Sequence, residues 1–329
     1  YYTVFHYNNL MKKIIITGVA GYVGSQLTEY FLKKKYVILG IDNFYNSDKK
    51  SINDLKKYSN FKFLKFNILN KKIIHKIKNK YDILIHLAAQ TSVDKSIHNP
   101  NETLEINIRS LSNALLLSDK LNCKLFIFTS SAAVYGNAKK LPIKENTILL
   151  PESSYGMSKK INEGQIKIFS KKTKTKFIIL RLFNIYGQIL RNVKNFGVIS
   201  LWINSILKNK KLYIHNKGNC IRDFVHITDL IKIINKISKN YRKERQKVQI
   251  YNVGSSKKTK IIEVLKIIIT YCKLYNFNFE KKKIIPTKLP KGQILRSYSS
   301  NYKLKKNFKI NFIGLKDALK KDISFLLGN

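Results

Sequence analysis

Tyr155 and Lys159 lie four residues apart, a spacing that places a phenol and an ammonium group on one face of a helix. A phenol, with a pKa near ~10, is a poor base at neutral pH, but a neighbouring ammonium stabilises the phenolate and lowers that pKa. Upstream, Ser131 follows an apolar run and could share the hydrogen bond to a substrate hydroxyl. Together the three side chains could remove a proton from an alcohol, with Tyr155 as the general base.

A glycine-rich turn near the start of the chain could bind a pyrophosphate. Gly18, Gly21 and Gly24 lie between a β-branched run and a segment with helical periodicity. Such glycines permit a tight turn and close approach to phosphate, while the following helix N-terminus supplies N–H donors and positive charge. Asp42 ends the next apolar run, where a carboxylate accepts hydrogen bonds from ribose hydroxyls and repels a 2′-phosphate. The pattern therefore favours NAD over NADP.

Short β-branched runs alternate with helix-period segments through the first half of the chain, which predicts an α/β fold with a Rossmann-type, doubly wound parallel sheet. Beyond residue 184 the pattern loosens, which predicts a smaller C-terminal α/β domain. We expect domains at 11–184 and 185–329, with some interleaving, and a disordered or upstream extension at 1–10. The predicted strands are 12–17, 37–41, 61–66, 83–87, 125–129 and 177–182.

The composition is strongly basic, with 63 Lys plus Arg against 19 Asp plus Glu and a net charge of +44. Only seven of the basic residues are arginines. Because proteins that read base edges or clamp phosphates rely on Arg, this balance is a poor match for a specific nucleic-acid-binding protein. We interpret most of the charge as lysines on solvated faces.

The cysteines and the apolar runs restrict the setting of the protein. Cys123, Cys220 and Cys272 are far apart, without the C-x-x-C spacing of a zinc site, and no His/Asp/Glu cluster has metal spacing. No apolar run has the length of a membrane span. We therefore expect no metal, no membrane association and a reducing, cytoplasmic location.

Residues 11–325 resemble the extended short-chain dehydrogenase/reductases, in particular the NAD-dependent nucleotide-sugar epimerase/dehydratase family. The resemblance implies that Ser131, Tyr155 and Lys159 are the catalytic residues. It implies cofactor binding by Gly18, Gly21, Tyr22, Val23, Gly24, Asp42, Asn43, Asn67, Ile68, Leu87, Ala88, Ala89, Asn107, Tyr155, Lys159 and Phe183. It implies substrate binding by Ser131, Asn184, Arg222 and Arg296.

Two alanines help to separate the reactions of this family. Ala132 and Ala133 stand where the resemblance places the acid and base of the sugar dehydratases, and a methyl group can transfer no proton. We therefore expect 4-epimerisation of a UDP-sugar by transient oxidation at C4. The substrates expected are UDP-glucose/UDP-galactose, UDP-N-acetylglucosamine or UDP-glucuronate, as in the similar epimerases of polysaccharide biosynthesis.

Other functions remain open from the sequence. One alternative is a nucleotide-sugar dehydrogenase, reductase or dehydratase of the same family. A second is a non-catalytic, basic binding protein that keeps the NAD fold. The resemblance also implies a homodimer, in which helices around 102–117 and 153–169 form an intersubunit four-helix bundle.

Overall fold

The computed structural model describes residues 12–188, 197–243, 246–290 and 292–328, so the expected extension at 1–10 lies outside the described residues. Among the described helices, none combines the length and the apolar character that crossing a membrane requires. The strands are β1 (Lys13–Thr17), β2 (Val37–Asp42), β3 (Phe61–Lys65), β4 (Ile83–His86), β5 (Leu125–Ser131), β6 (Lys176–Leu182), β7 (Asn184–Tyr186), β8 (Leu212–His215), β9 (Ile221–Arg222), β10 (Phe224–His226), β11 (Val248–Val253), β12 (Thr259–Lys260) and β13 (Ile284–Thr287).

Helices connect and cover these strands. They are α1 (Tyr22–Lys33), α2 (Lys50–Leu55), α3 (Ile73–Lys76), α4 (Val93–His98), α5 (Pro100–Lys120), α6 (Ser154–Ser170), α7 (Gly197–Leu207), α8 (Ile227–Asn240), α9 (Ile261–Lys273), α10 (Tyr302–Phe308) and α11 (Leu315–Leu327). A 3-10 turn at Ala132–Tyr135 follows β5 directly.

A seven-stranded parallel sheet forms the centre of the protein, in the order β3-β2-β1-β4-β5-β6-β11. Its first six strands are those expected from the apolar runs, so the Rossmann-type prediction is confirmed. The strand order reverses direction between β1 and β4, and ligands of open α/β sheets bind at such a switch point, outside the carboxyl ends of the strands.

Both faces of the sheet are buried, as the continuous apolar runs require. Alternate residues of β1 point to opposite faces: Ile14 and Ile16 pack with α1, α8 and α10, whereas Ile15 packs with α3, α5 and α6. Because α8, β11 and α10 follow residue 184 and still pack in this core, the second half of the chain interleaves with the first.

A smaller core lies among α7, α9 and α11 and includes residues of β7, β8 and β10. The remaining strands form three two-stranded sheets, which pair β7 with β10, β9 with β12, and β8 with β13. The β9 and β10 strands bring Arg222 and its neighbours to the carboxyl edge of the central sheet, beside the end of β6.

Candidate active site

The glycine loop between β1 and α1 lies at the switch point and leaves no room for side chains. Gly18 has a φ of +73°, and a Cβ atom there would lie 2.7 Å from the backbone nitrogen of Ala88. A Cβ atom at Gly24 would lie 2.1 Å from the carbonyl oxygen of Gly18. The loop therefore holds the N-terminus of α1 close against the strand ends, where its N–H groups can meet a phosphate.

A cavity of about 530 Å³ extends from this loop along the carboxyl ends of β1, β2, β4 and β5. This volume lies in the range of protein sites that bind small molecules and cofactors. Except for Asn107, every residue expected to bind the cofactor lines it, namely Gly18, Gly21, Tyr22, Val23, Gly24, Asp42, Asn43, Asn67, Ile68, Leu87, Ala88, Ala89, Tyr155, Lys159 and Phe183.

Asp42 connects the glycine loop to the segment after β2. Its Oδ2 accepts a hydrogen bond from the backbone N–H of Ala20 at 2.9 Å. Its Oδ1 accepts from the N–H of Phe44 at 2.8 Å and from the hydroxyl of Ser47 at 3.2 Å. A carboxylate oxygen can accept two hydrogen bonds, so Oδ2 retains capacity for a ribose hydroxyl. The glycine cradle and this acceptor therefore fit the adenosine side of a dinucleotide.

The three expected catalytic side chains come together at the edge of the cavity. Ser131 ends β5, and Tyr155 and Lys159 occupy the first two turns of α6. The hydroxyl of Ser153 caps this helix by accepting from the N–H of Gly156 at 3.2 Å. The ammonium of Lys159 donates to the carbonyl oxygen of Thr129 at 2.9 Å and lies 5.8 Å from the centre of the Tyr155 ring.

Burial shifts the pKa values of Lys159 and Tyr155. Burial lowers the pKa of Lys159 to about 7, and the Glu163 carboxylate acts in the opposite direction. Burial also raises the pKa of Tyr155, while its hydrogen bond with Ser131 acts to lower it. The spacing of the pair predicts a lowered pKa for Tyr155, and that direction is wrong, because the cost of burying a phenolate outweighs the favourable contacts.

A second cavity of about 150 Å³ adjoins the first and shares Ser131, Tyr155 and Phe183 with it. Asn184 and Arg222 line it, as expected for residues that hold a substrate. Burial lowers the pKa of Arg222, whose Nη1 donates to the carbonyl oxygens of Ile221 at 2.9 Å and Leu295 at 3.3 Å. Carbonyl oxygens leave the positive charge of the guanidinium uncompensated, so this cavity suits an anionic group such as a phosphate.

Comparison with known proteins identifies the family of this chain. The sequence model of the NAD dependent epimerase/dehydratase family matches residues 14–254. The chain belongs to the NAD-dependent epimerase/dehydratase family. The family is NAD-dependent, and NAD is therefore the cofactor of this protein.

Relatives within the family carry two kinds of name. Over 321 residues the chain is 31% identical to a protein of Methanocaldococcus jannaschii named "Putative UDP-glucose 4-epimerase", covering 96% of this chain and 99% of that one. Over 275 residues it is 33% identical to the "dTDP-D-glucose 4,6-dehydratase" of Dictyostelium discoideum, covering 79% and 62%. Sequence similarity alone therefore does not separate an epimerase from a dehydratase.

Solved structures of the same kinds share the fold. The UDP-glucose 4-epimerase of Thermotoga maritima, solved with UDP-glucose, superposes with a TM-score of 0.85 at 24% identity, covering 95% of this chain and 98% of that one. The dTDP-glucose 4,6-dehydratase DesIV of Streptomyces venezuelae, solved with NAD, gives 0.86 at 19% identity, covering 96% and 97%. Both similarities confirm the fold class.

Asn107 and Arg296 are expected at the site, but neither lines one of the two cavities. Asn107 is buried, and its Oδ1 accepts a hydrogen bond from the backbone N–H of Gln90 at 2.8 Å. Its Nδ2 donates to the carbonyl oxygen of Gln90 at 3.0 Å and to the hydroxyl of Ser158 at 2.9 Å. It therefore supports the neighbours of Ala89 and Lys159 without reaching the cavity. Arg296 is exposed and outside the lining of the smaller cavity, because its backbone pairs with Ile221 at the edge of β9.

The family pattern also misses residues that line the cavities. Tyr45, Asn46 and Ser47 line the larger one after β2, and Glu152 lines the smaller one beside Ser153. Polar residues after a parallel strand are a usable signal for the first group, since ligands bind at strand ends. Among the described residues, no group of three His, Cys, Asp or Glu side chains could hold a metal ion.

Proposed function

We propose that this protein is a UDP-sugar 4-epimerase with bound NAD, acting on UDP-glucose/UDP-galactose, UDP-N-acetylglucosamine or UDP-glucuronate. The observation that carries the proposal is the lining of the smaller cavity, where Ala132 and Ala133 lie beside Ser131 and Tyr155. Methyl groups can transfer no proton, so the cavity wall next to the base supports oxidation and reduction at one carbon. Neither alanine can supply the acid and base that elimination of water requires.

The residues of the two cavities have complementary tasks in this reaction. Tyr155 accepts the proton of the C4 hydroxyl, Ser131 shares its hydrogen bond, and the charge of Lys159 stabilises the phenolate. The residues that line the larger cavity would hold NAD, which would supply the acceptor and donor of the C4 hydride. Asn184 and Arg222 hold the diphosphate, so the sugar can turn between the two transfers without leaving.

A dehydratase is the second candidate, because Glu152 lines the smaller cavity and could act as an acid or base. Against it, Glu152 is exposed and its Oε1 accepts a hydrogen bond from Asn137 at 3.3 Å. An exposed carboxylate that is already bonded to Asn137 is a poor match for the acid and base that elimination of water requires. We therefore favour the epimerase.

Incubation of the purified protein with the three UDP-sugars and with dTDP-glucose, followed by chromatography of the products, tests the proposal. We expect interconversion of C4 epimers without added NAD, because the epimerase regenerates its cofactor in each cycle. A 4-keto-6-deoxy product would instead establish the dehydratase. Strict dependence on external NAD would establish a dehydrogenase.

Tyr155→Phe tests the base directly. Removing the hydroxyl should reduce kcat by about a thousandfold or more, because the C4 proton then has no acceptor. The protein should still carry NAD, which its absorbance after dialysis measures. Tyr302→Phe is the matched control, since the Tyr302 side chain is 71% exposed and lies outside both cavities. Wild-type activity in Tyr155→Phe would remove Tyr155 as the base.

We also propose a homodimer in the cytoplasm. Leu116 on α5 and Met157, Ile161 and Ile168 on α6 expose between 37% and 67% of their surface, so this helix pair presents an apolar face. Burial of such a face against a second copy would remove apolar surface from water. Cys123, Cys220 and Cys272 are free and buried, which suits a reducing compartment.

A further inference from the structure

Glu163 continues the row of chemically active side chains on α6. It follows Lys159 by four residues and Tyr155 by eight, so all three lie on the same face of the helix. Glu163 is almost fully buried, and it lies outside both cavities. A buried carboxylate needs a structural or chemical reason, because removing a charge from water is costly unless it is paired.

The carboxylate joins α6 to the two strands that carry the site. Its Oε1 and Oε2 accept from Nε and Nη2 of Arg181 on β6, at 2.9 and 2.6 Å. Its Oε1 also accepts from the hydroxyl of Ser130 on β5 at 2.6 Å. Ser130 directly precedes Ser131, so the end of β5 is fixed against the helix that carries Tyr155.

Arg181 is held from its other side as well. Its Nη1 donates to the hydroxyl of Tyr135 at 2.7 Å and to the carbonyl oxygen of Glu145 at 2.8 Å. The Tyr135 hydroxyl in turn donates to the side chain of Asn252 on β11 at 2.6 Å. The Glu163–Arg181 pair is therefore part of a buried hydrogen-bond network that spans β5, β6 and β11.

Lys159 lies in the same charged environment. It is surrounded by groups from three elements: the Tyr155 phenol and Glu163 from α6, the His86 ring from β4, and the Phe128 ring and Thr129 carbonyl from β5. Burial and Lys159 together lower the pKa of His86 to about 3, so that ring is neutral. Glu163 thus pairs directly with Arg181, and its negative charge also favours the charged form of Lys159.

We infer that Glu163 is a positioning residue of the reaction, which fixes the end of β5 that carries Ser131 and balances the charge of Lys159. The inference rests on the proposed function, because it assumes that Ser131, Tyr155 and Lys159 act together on a sugar hydroxyl. Glu163→Gln removes the charge, keeps the shape and leaves Arg181 without its carboxylate partner. Ser130→Ala removes only the link to β5.

The two variants should fail in different ways. In NAD-loaded protein, we expect kcat of Glu163→Gln to fall at a pH about 1 unit lower on the alkaline limb of its pH profile than kcat of the wild type. The reason is that Lys159 loses its proton more easily in this variant. Ser130→Ala should leave the limb in place and reduce kcat by about tenfold through misplacement of Ser131. Glu163→Asp keeps the charge and should restore the limb. Glu29→Gln, in an exposed pair with Lys33, is the control and should match the wild type.

A second readout does not depend on turnover. In holoprotein labelled with [ε-¹³C]lysine, the Lys159 resonance can be assigned by its loss in Lys159→Met. It should stand apart, because burial lowers the pKa of Lys159 to about 7 while ordinary lysines titrate near ~10.4. We expect its midpoint to fall by about 1 unit in Glu163→Gln.

The outcomes separate this inference from the proposed function. Equal Lys159 midpoints in wild type and Glu163→Gln would overturn the charge balance, and wild-type kcat in Ser130→Ala would overturn the positioning of Ser131. If Glu163→Gln does not fold, Ser130→Ala decides, and wild-type kcat in that variant would overturn the inference. A wild type that interconverts no UDP-sugar would overturn the proposed function, while the lysine titration would still test Glu163.

Discussion

Lys159 is buried and Tyr155 is half-buried in the candidate site, and the proposed reaction requires both to be charged. Burial favours the neutral form of each group, so it raises the pKa of Tyr155 and lowers that of Lys159. In the proposed reaction the charged forms of both groups must be stabilised, and Ser131 and Glu163 act in that direction. Burial of the Lys159 ammonium carries a cost in stability.

Lys159→Met should reveal this cost as a pH-dependent gain in stability. The pKa of Lys159 is about 7 in the folded protein, below the 10.5 of an ordinary lysine, so between these values the unfolded chain binds a proton that the folded chain lacks. Wild-type stability must then rise with pH across this window, and the variant lacks that rise.

The gain in the free energy of unfolding should therefore be larger at pH 7 than at pH 9.5, by about 3 kcal/mol. Urea unfolding at the two pH values measures it, and the comparison cancels any difference in packing. Lys167→Met, at an exposed position on the same helix, should give the same change at both pH values. A pH-independent gain in Lys159→Met would show that Lys159 is not destabilised by burial.

The glycine loop and α1 form the element that the cofactor cavity depends on most directly. The helix can approach β1 only because Gly18 and Gly24 lack side chains, and a Cβ atom at either position would meet backbone that cannot rotate away. The same close approach directs the first N–H groups of α1 toward the cavity. The absence of side chains at Gly18 and Gly24 thus permits both the packing of α1 and the binding of a cofactor.

Gly24→Ala should separate α1 from the sheet, because its Cβ atom would lie 2.1 Å from the Gly18 oxygen. We expect a loss of about 2–3 kcal/mol in the free energy of unfolding and loss of NAD during dialysis. Gly164→Ala on α6 is the control, since no neighbouring atom lies within 4 Å of the position that its added methyl group would occupy. It should stabilise the protein by about 0.5–1 kcal/mol. Retained NAD in Gly24→Ala would contradict the packing argument.

Most of the positive charge of the protein lies away from the two cavities. Among the described residues that line the two cavities, the cations are Lys159 and Arg222 and the carboxylates are Asp42 and Glu152. The net charge of +44 therefore lies largely outside the cavities. A positive field attracts anionic nucleotides at low salt, but the specificity of the site comes from the few side chains within it.

The proposed dimer leads to a prediction about its surface. Ile161→Glu, on the exposed face of α6, should convert the dimer to a monomer, because a carboxylate would be buried without a partner. Size-exclusion chromatography with light scattering measures the mass. Leu201→Glu on α7 is the control, since Leu201 is 43% exposed against 37% for Ile161 but lies on a different helix. A dimer that persists in Ile161→Glu would exclude α6 from the interface.

Local spacing is sufficient to determine part of this protein. The positions of Gly18, Gly21 and Gly24 between a strand and a helix, and of Tyr155 and Lys159 on one helix turn, depend only on residues near in sequence. The first six strands of the central sheet are predictable for the same reason, because continuous apolar runs specify burial on both faces. The family, the fold class and the cofactor follow from these local patterns.

Long-range packing decides the rest. Tertiary structure places β11 at the edge of the central sheet, Asn107 behind the cavity wall and Arg296 on the surface, since these positions depend on which distant segments meet. It also pairs Glu163 with Arg181 and raises the pKa of Tyr155. Burial is a property of the folded chain as a whole, so spacing alone identifies which groups can do the chemistry and the fold determines their charge.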